Sequence, residues 1–361
     1  YYGTFYDSNA DKSVYIGRDL WRPENSTVFG GNTTSVEFGD NVTLINNRLF
    51  QSNRTLESIK IGSGVKTIGE YAFEDAGDNL NEGDEAGTKE LTVTMGSNVA
   101  LIDYAAFNSC ANLKSITLPE TLTNINGYAF QSSGLTAVTI PASVDSIGQR
   151  VFANNSNLVS INIEDADKEL KIYNGYYGTF YSSNADKTVY IGRNLWRPEN
   201  SSPFGGATSV EFGDQVTTIN SQLFYDASKL SSVAIGNGVT EIGAEAFRGA
   251  GDAEDVGEMI VTLGENIRNI RGSAFQDCSK LMSITLPEKL DTIFGYAFQS
   301  SGLTAVTIPV SVDSIGERAF AYCGSLASIH INDNEKVLKL RNGYYGTFYD
   351  SNADKSVYIG R

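Results

Sequence analysis

The sequence predicts a repeat solenoid made mainly of β-strands, and two periodicities lead to this prediction. The first is long: the opening stretch YYGTFYDSNADKSVYIGR (1–18) recurs unchanged at 344–361 and, with small changes, at 176–193. The second is short: a phenylalanine returns at steps that are mostly 20 to 24 residues long. A step of that length buries little apolar surface alone, so successive steps must stack on one shared core. The recurring residues are Phe5, Phe29, Phe50, Phe73, Phe107, Phe130, Phe152, Phe180, Phe204, Phe224, Phe247, Phe275, Phe298, Phe320 and Phe348.

Each step carries one apolar pattern, which is clearest in AFNSCANLKSITLPETLTNINGYAF (106–130). Apolar residues follow the phenylalanine by 6, 9 and 11 positions, here Leu113, Ile116 and Leu118. The period of two in the last pair predicts a short strand with one buried face. A proline such as Pro119, or a glycine, then ends the strand, because proline cannot donate to a ladder and glycine permits a turn. A second apolar pair precedes the next phenylalanine.

This pattern predicts a right-handed superhelix with a parallel strand ladder on its concave face and short strands and turns on the other side. We expect one continuous solenoid over 1–361. It would comprise two long repeats of seven coils each, 1–175 and 176–343, and the start of a third at 344–361. The chain has no initiator methionine, and its last stretch lacks the polar cap that a solenoid end needs. Both features predict a piece of a longer array.

The pattern LxxIxLPxxLxxIxxxAFxxC resembles the leucine-rich repeats of the BspA-like, or treponemal, class of bacterial surface proteins. The resemblance is most specific in the steps that end at Phe130, Phe152, Phe298 and Phe320. It implies a leucine-rich-repeat superhelix in a secreted or cell-surface protein, which in some relatives is an adhesin. The motif is structural, so the resemblance implies no catalytic or binding residue here. Proline or glycine replaces the asparagine or cysteine of better-known leucine-rich repeats, so we expect no asparagine ladder.

Composition and charge exclude several functions. The net charge is −16 and the pI is about 4.5, whereas nucleic acids and anionic membranes require a basic face. No apolar run approaches the ~18 residues of a membrane-spanning helix. The acidic, glycine-rich composition is typical of a bacterial extracellular protein. We therefore expect a secreted or cell-surface protein, with no nucleic-acid partner and no membrane insertion.

The residues that most often perform chemistry do not form a recognisable constellation. Cys110, Cys278 and Cys323 each follow a recurring phenylalanine by three positions, where other steps have small residues, so we predict free, partly buried thiols. The last two lie two coils apart, too far for a disulfide. The single histidine, His330, occupies an outward strand position without a fixed partner. We therefore predict no enzyme activity, no cofactor and no metal site.

Carboxylates concentrate in EDAGDNLNEGDEAGTKE (74–90), an insertion that lengthens one step to 34 residues. Its counterpart, RGAGDAEDVGE (248–258), is shorter, and neither has EF-hand spacing. We interpret the insertion as a solvated, mobile loop, with a weak calcium site as the alternative.

An aromatic step occurs twice, as VYIGRDLWRPEN (14–25) and VYIGRNLWRPEN (189–200). We predict that its tyrosines lie on the outer strand face and that its Trp-Arg pairs lie in the following loop. Trp, Tyr and Arg are the residues that most often anchor interfaces. The alternative is that these aromatics fill an irregular coil. The candidate interaction residues are Tyr15, Trp21, Arg22, Tyr190, Trp196 and Arg197.

Two functions remain. The leading hypothesis is a non-enzymatic, adhesin-like scaffold, expected to be a monomer, that binds an extracellular protein or polysaccharide. The two aromatic steps lie seven coils apart, about 34 Å by strand spacing, which favours a multivalent partner. The alternative is a passive spacer within a larger cell-surface protein. A binding role predicts exposed aromatics, and a spacer predicts buried ones.

Overall fold

The structure is a computed structural model that describes residues 12–21, 28–29, 32–78, 89–173, 178–180, 186–197, 202–333, 335–341, 346–349 and 356–359. These residues form short strands and turns, and no helix occurs among them. The strands are β1 (Lys12–Ile16), β2 (Thr33–Phe38), β3 (Leu44–Ile45), β4 (Ser58–Ile61), β5 (Thr67–Ile68), β6 (Thr92–Thr94), β7 (Leu101–Ile102), β8 (Asn124–Ile125), β9 (Ala137–Ile140), β10 (Ser146–Ile147), β11 (Ser160–Ile163), β12 (Leu170–Ile172), β13 (Lys187–Ile191), β14 (Leu195–Trp196), β15 (Ala207–Phe212), β16 (Thr218–Ile219), β17 (Ser232–Ile235), β18 (Glu241–Ile242), β19 (Ile260–Thr262), β20 (Asn269–Ile270), β21 (Thr292–Ile293), β22 (Ala305–Ile308), β23 (Ser314–Ile315), β24 (Ser328–Ile331), β25 (Lys339–Leu340) and β26 (Ser356–Ile359).

The chain divides into two compact units. The first unit comprises Tyr1–Ile163, Leu170–Ala185 and Arg197–Glu199, and the second comprises Glu164–Glu169, Asp186–Trp196 and Asn200–Arg361. That all of these residues form one continuous solenoid stays a prediction.

Each unit contains two kinds of parallel ladder. In the first unit the longer strands pair in the orders β1-β2-β4-β6 and β9-β11, and the shorter strands pair as β3-β5-β7-β8-β10-β12. In the second unit the longer strands pair as β13-β15-β17-β19 and β22-β24-β26, and the shorter ones pair as β16-β18-β20-β21-β23-β25. The pairings are parallel, and most coils contribute one strand of each kind, for example β10 with β8 and β24 with β22. The predicted parallel β-solenoid is thus confirmed.

The side chains alternate as the sequence predicts. In β9, Val138 and Ile140 are buried while Ala137 and Thr139 are exposed. The strand ends because the carbonyl of Pro141 accepts a hydrogen bond from the N–H of Val144, which closes a turn. The second residue of the second apolar pair, such as Ile125 or Ile147, lies in a two-residue strand of the other ladder and is fully buried.

One coil in each long repeat departs from the prediction. Residues 113–118, where the apolar pattern is clearest, form no strand, and neither do the equivalent residues 281–286. Leu113 and Leu118 are buried as expected, but Ile116 is only half-buried. Periodicity fixes which side chains face the core. Strand pairing also requires the backbones of the neighbouring coils to be in register, which the pattern of one step does not encode.

The recurring phenylalanines form a stack in each unit. Neighbouring rings lie nearly parallel, with centroids 5.4 Å apart for Phe107 and Phe130 and 5.5 Å apart for Phe130 and Phe152. The second unit repeats this geometry, with 5.4 Å between Phe275 and Phe298 and 5.2 Å between Phe298 and Phe320. Near-parallel, offset rings at this separation are a favourable aromatic arrangement. Each coil is named below by its phenylalanine.

The backbone around each phenylalanine forms a further set of bonds between coils. In the Phe130 coil, the N–H groups of Tyr128, Phe130 and Ser132 all donate to carbonyl groups of the next coil, at 3.0, 2.9 and 2.9 Å. Tyr128 and Ser132 have positive φ angles of 63° and 53°, which is uncommon outside glycine. Because Tyr128 and Ser132 have left-handed backbone conformations, their N–H groups point toward the next coil, as the N–H of Phe130 does. Ordinary side chains occupy most of these positions, so the sequence signals the angles only where glycine stands there, as at Gly206 and Gly249.

The residue three positions after each phenylalanine often satisfies a buried carbonyl. Asn155 donates its side-chain N–H to the carbonyl of Phe130 at 2.9 Å, and the thiol of Cys278 donates to that of Phe247 at 3.0 Å. Cys110 and Cys323 make the same bond at 3.0 and 3.1 Å to the phenylalanine of the preceding coil. The three cysteines are free, as predicted, but they are fully rather than partly buried. The column mixes asparagine, serine and cysteine donors.

The phenylalanine stack yields a stability prediction. Replacing Phe130 or Phe298 with alanine removes a ring that is fully buried between two others. We expect each change to lower the free energy of unfolding by about 3–5 kcal/mol, measured by urea titration. Phe→Leu at the same site is the matched control and should cost less, because it leaves a smaller cavity. A loss below about 1 kcal/mol for both alanine variants would contradict the stack.

The reactivity of the thiols tests whether the three cysteines are buried in the folded protein. Burial raises the pKa of the Cys278 thiol to about 12 and raises that of Cys110 as well. The reactive thiolate therefore stays scarce in the folded protein up to about pH 10. We expect no labelling by a maleimide over hours at pH 8, and labelling of three thiols per chain in denaturant, counted by mass spectrometry. Fast labelling of the folded chain would show that the column is open to solvent.

Candidate interaction surface

The first aromatic step begins on β1. Tyr15 projects from its outer face and is 69% exposed. Its hydroxyl lies over the backbone of the next coil, where a Cβ atom on Gly39 would overlap it. Glycine at that position thus lets the ring of Tyr15 lie flat along the ladder. Beside the ring is a cavity of about 490 Å³ that residues 12–18, Leu20 and Phe29 line.

The loop after β1 presents Trp21 and is anchored by Asp19. The indole of Trp21 is 86% exposed, the largest exposed fraction among the large apolar side chains of the described residues. The carboxylate of Asp19 accepts hydrogen bonds from the N–H and hydroxyl of Thr43, both at 2.6 Å, and from the N–H of Leu44 at 3.2 Å. These bonds, led by the one from the Thr43 hydroxyl, lower the pKa of Asp19. Asp19 therefore fixes the start of the loop that carries the tryptophan.

The second aromatic step is more deeply embedded, although its letters are nearly the same. Tyr190 on β13 is half-buried, and its hydroxyl donates to the carboxylate of Asp165 at 2.9 Å. Burial, and then this bond, raise the pKa of Tyr190 to about 12. Lys187, at the other end of β13, is fully buried and donates to the carbonyl of Gly205 at 2.6 Å. Burial lowers the pKa of Lys187 to about 8.

The second loop is anchored in the same way as the first. The side-chain oxygen of Asn194 accepts from the N–H groups of Thr217 and Thr218 at 2.9 and 3.3 Å, as Asp19 does in the first step. The predicted loop position is wrong for Trp196, which lies on strand β14 and is 40% exposed; Arg197 is half-buried. Arg22, the equivalent of Arg197, lies outside the described residues. Sequence reasoning missed both the anchors and the buried lysine. Asp19 and Asn194 each stand two positions before a tryptophan, and this shared spacing is the sequence feature that could have revealed the anchors.

The other candidates from the sequence do not form a site. His330 is exposed and stacks on Tyr358 with ring centroids 4.5 Å apart, while the hydroxyl of Tyr358 donates to Asp333 at 3.1 Å. Within the described ranges, no group of three or more His, Cys, Asp or Glu residues is arranged to hold a metal ion. Residues 79–88 of the acidic insertion, where a calcium site was the alternative, lie outside those ranges. No helix of the described part is long and apolar enough to cross a membrane.

Parallel coils, a buried aromatic stack and polar outward columns define a repeat scaffold. The model of the BspA type leucine-rich repeat region matches residues 2–82, 86–197, 203–257 and 258–358. The chain therefore belongs to this family, whose members are generally non-enzymatic repeat scaffolds of bacterial surface-type proteins. None of the curated proteins compared with the chain matches it.

Solved structures of similar proteins include three from bacteria. A leucine-rich repeat protein of Bacteroides ovatus shares 20% identity, with 88% of each chain covered and a TM-score of 0.42. A leucine-rich cell surface protein of Faecalibacterium prausnitzii shares 24% identity over 90% of this chain and 89% of its own, with a TM-score of 0.36. The pneumococcal vaccine antigen PcpA shares 19% identity over 90% and 73%, with a TM-score of 0.37. Family membership rests on the repeat match and not on these distant likenesses.

The anchor at Asp19 predicts an acid transition at Trp21. Because the pKa of the folded carboxyl lies below 3.8, the anchor is complete above that pH and is lost as the pH falls through the folded value. We expect the indole N–H resonance of Trp21 to shift in that window. Asp19→Asn is the control, because Asn194 makes the same backbone contacts and does not titrate. The same acid shift in the asparagine variant would assign the transition to another group.

Proposed function

We propose that this protein is a non-enzymatic, adhesin-like scaffold, secreted or held at a bacterial cell surface, that binds an extracellular protein or polysaccharide through its aromatic steps. The observation that carries the proposal is the exposure of Trp21 at 86% and of Trp196 at 40%. An exposed indole is a common anchor of protein and glycan contacts, because it offers a large contact area at a low cost in conformational entropy. The family match supports the surface location.

The segments that carry these two tryptophans are already ordered at their starts. Asp19 and Asn194 each bond two successive N–H groups of the following coil. A contact residue held in this way loses less freedom when a partner binds, which favours affinity. Two such loops in one chain also favour a partner with repeated epitopes, since linked weak contacts raise avidity.

A passive spacer is the second candidate, and the second aromatic step supports it. Tyr190 is half-buried and uses its hydroxyl within its own chain, and Arg197 is also half-buried. These residues contribute to packing there, as they would in a coil with no partner. The exposure of Trp21 and Tyr15 in the first step favours binding instead.

Double replacement of Trp21 and Trp196 by alanine tests the proposal. We expect about a tenfold or larger loss of capture on an array of glycans and extracellular matrix proteins, the usual cost of removing an interface anchor. The circular dichroism spectrum and melting temperature should stay unchanged, because both side chains are exposed.

Met282→Ala combined with Ile260→Ala is the matched control. It removes two exposed large apolar side chains, 43% and 61% exposed, in coils that do not adjoin β1 or β13. The control should capture as the wild type does. Capture that is equal in wild type and tryptophan variant, or a loss of structure in that variant, would leave the spacer as the better explanation.

A further inference from the structure

The second unit contains a cleft at a place where the two long repeats differ in sequence. It has a volume of about 600 Å³ and lies just after the parallel strands β21, β23 and β25. That volume is within the usual range for small-ligand sites. The lining residues are Gly272, Thr292, Ile293, Phe294, Gly295, Tyr296, Ser314, Gly316, Glu317 and Arg341.

The cleft is open because two glycines stand at its floor. A Cβ atom on Gly272 would come no closer than 3.4 Å to any neighbour, and one on Gly295 no closer than 3.2 Å. Neither glycine has a positive φ. Packing and backbone conformation therefore leave room for a side chain at Gly272, and the open space at this site is not a requirement of the fold.

The equivalent place in the first unit is closed by a tyrosine. After the acidic insertion, adding 168 to a residue number in the first long repeat gives its counterpart in the second, as the shared GYAFQSSGLTAVTIP (127–141 and 295–309) shows. The counterpart of Gly272 is Tyr104, whose ring lies 3.7 Å from the Cβ position of Gly127 and 5.2 Å, between centroids, from Tyr128. Replacement of that tyrosine by glycine explains the cleft.

Other differences between the two copies fall on the same place and change its chemistry. Asn126, which donates to Asp103 in the first unit, has the aromatic counterpart Phe294 in the second. The counterpart of Asp103 is Arg271, and the counterpart of Tyr173 is Arg341, so the second unit has two arginines where the first has an acid and a tyrosine. Loss of two rings, gain of another and gain of two cations thus occur together in otherwise similar coils.

Two aromatic rings line the cleft, and each is contacted by an arginine that is not itself a lining residue. The guanidinium of Arg271 lies 4.6 Å from the ring centroid of Phe294, and that of Arg318 lies 5.7 Å from that of Tyr296. The Tyr296 hydroxyl donates to one oxygen of the Glu317 carboxylate at 2.9 Å. This bond holds the ring against the cleft, while the second oxygen of the carboxylate can accept from a ligand hydroxyl.

The charge available to a ligand is that of Arg341. Arg271 already pairs with Glu241 at 2.7 Å, and Glu317 is engaged by Tyr296. Arg341 is exposed, and its guanidinium has no hydrogen bond or ion pair with any described residue. A planar guanidinium at the edge of an aromatic cleft is suited to bind a carboxylate through two parallel hydrogen bonds.

We propose that this cleft is a binding site for a sugar that carries a carboxylate, such as a uronic acid or a sialic acid. The rings of Phe294 and Tyr296 offer apolar surface for the C–H face of a pyranose. Glu317, Thr292 and Ser314 offer partners for its hydroxyls, and Arg341 binds the carboxylate. The site is separate from the aromatic steps, so this proposal and the proposed function can fail independently.

The test is isothermal titration of the full chain at about 0.15 M salt, where surface charges more than ~8 Å apart are largely screened. The probes are trigalacturonate for the uronic acids and the α-methyl glycoside of N-acetylneuraminic acid for the sialic acids. Maltotriose serves as the uncharged sugar and benzoate as a carboxylate without a sugar ring. We expect saturable binding of at least one acidic sugar, and the probe that binds shows whether the ligand is a uronic acid or a sialic acid. Maltotriose and benzoate should bind at least about tenfold more weakly.

Three variants assign that binding to the cleft. Gly272→Tyr restores the arrangement of the first unit and should weaken binding of the acidic sugar at least about tenfold. Arg341→Gln should weaken it to a similar extent, because it removes a charge-assisted hydrogen-bond donor. Tyr104→Gly opens the first unit without supplying a cation, and it should leave the affinity unchanged. Melting curves compare the folding of all three.

Several results would overturn the proposal. These are no saturable binding of either acidic sugar, equal affinity for maltotriose, or equal affinity for benzoate. Undiminished binding in both the Gly272→Tyr and the Arg341→Gln variant would place any observed site elsewhere. Because Arg341 is exposed, its variant remains informative even if the tyrosine variant is unstable. Loss of capture by the Trp21 and Trp196 variant has no bearing on this outcome.

Discussion

The forward hydrogen bond from each buried phenylalanine is the contact on which the rest of the structure depends. The N–H of Phe130 donates to Val151, the residue just before Phe152, while the two rings stack 5.5 Å apart. The backbone bond and the ring contact therefore span the same interval between coils. A coil cannot shift relative to its neighbour without losing both. Strand pairing can lapse in one coil, as at 113–118, because this second connection persists on either side of it: Phe107 donates to Ala129.

The same contact explains why so much of the fold could be predicted from the sequence. Burial of a large ring at a fixed interval leaves a periodic signal, and the apolar pairs around it mark the strands. The positive φ angles at Tyr128 and Ser132 left no signal, since ordinary side chains occupy them. Hydrogen bonding to the next coil stabilises these angles, so their cause lies about 22 residues away in the sequence. The absence of a strand at 113–118, in the Phe107 coil, likewise depends on the backbones of the neighbouring coils and could not be predicted from one step.

The candidate surface was harder to predict because nearly identical letters lie in different surroundings. VYIGRDLWRPEN and VYIGRNLWRPEN differ at one position, yet their tryptophans are 86% and 40% exposed. Tyr190 has Asp165 as a partner, and Lys187 is fully buried. Composition and spacing identify the residue types that bind partners. The exposure of each residue depends on the coils around it, which differ between the two copies even where the step itself does not.

The two copies also show where such a scaffold can change. The phenylalanine, the aliphatic residues and the donor that follows them are constrained by contacts with the coils on both sides. A residue just after a short strand, such as Tyr104 or Gly272, bonds the preceding coil through its backbone carbonyl, so its side chain can be replaced without loss of that bond. In a chain with a net charge of −16, replacing Asp103 with Arg271 reverses the charge at one such position. Contacts within the second unit account for that reversal, because Arg271 pairs with Glu241 at 2.7 Å and lies over Phe294. Arg341, the counterpart of Tyr173, has no such partner among the described residues, so a ligand is the simpler physical reason for that second change.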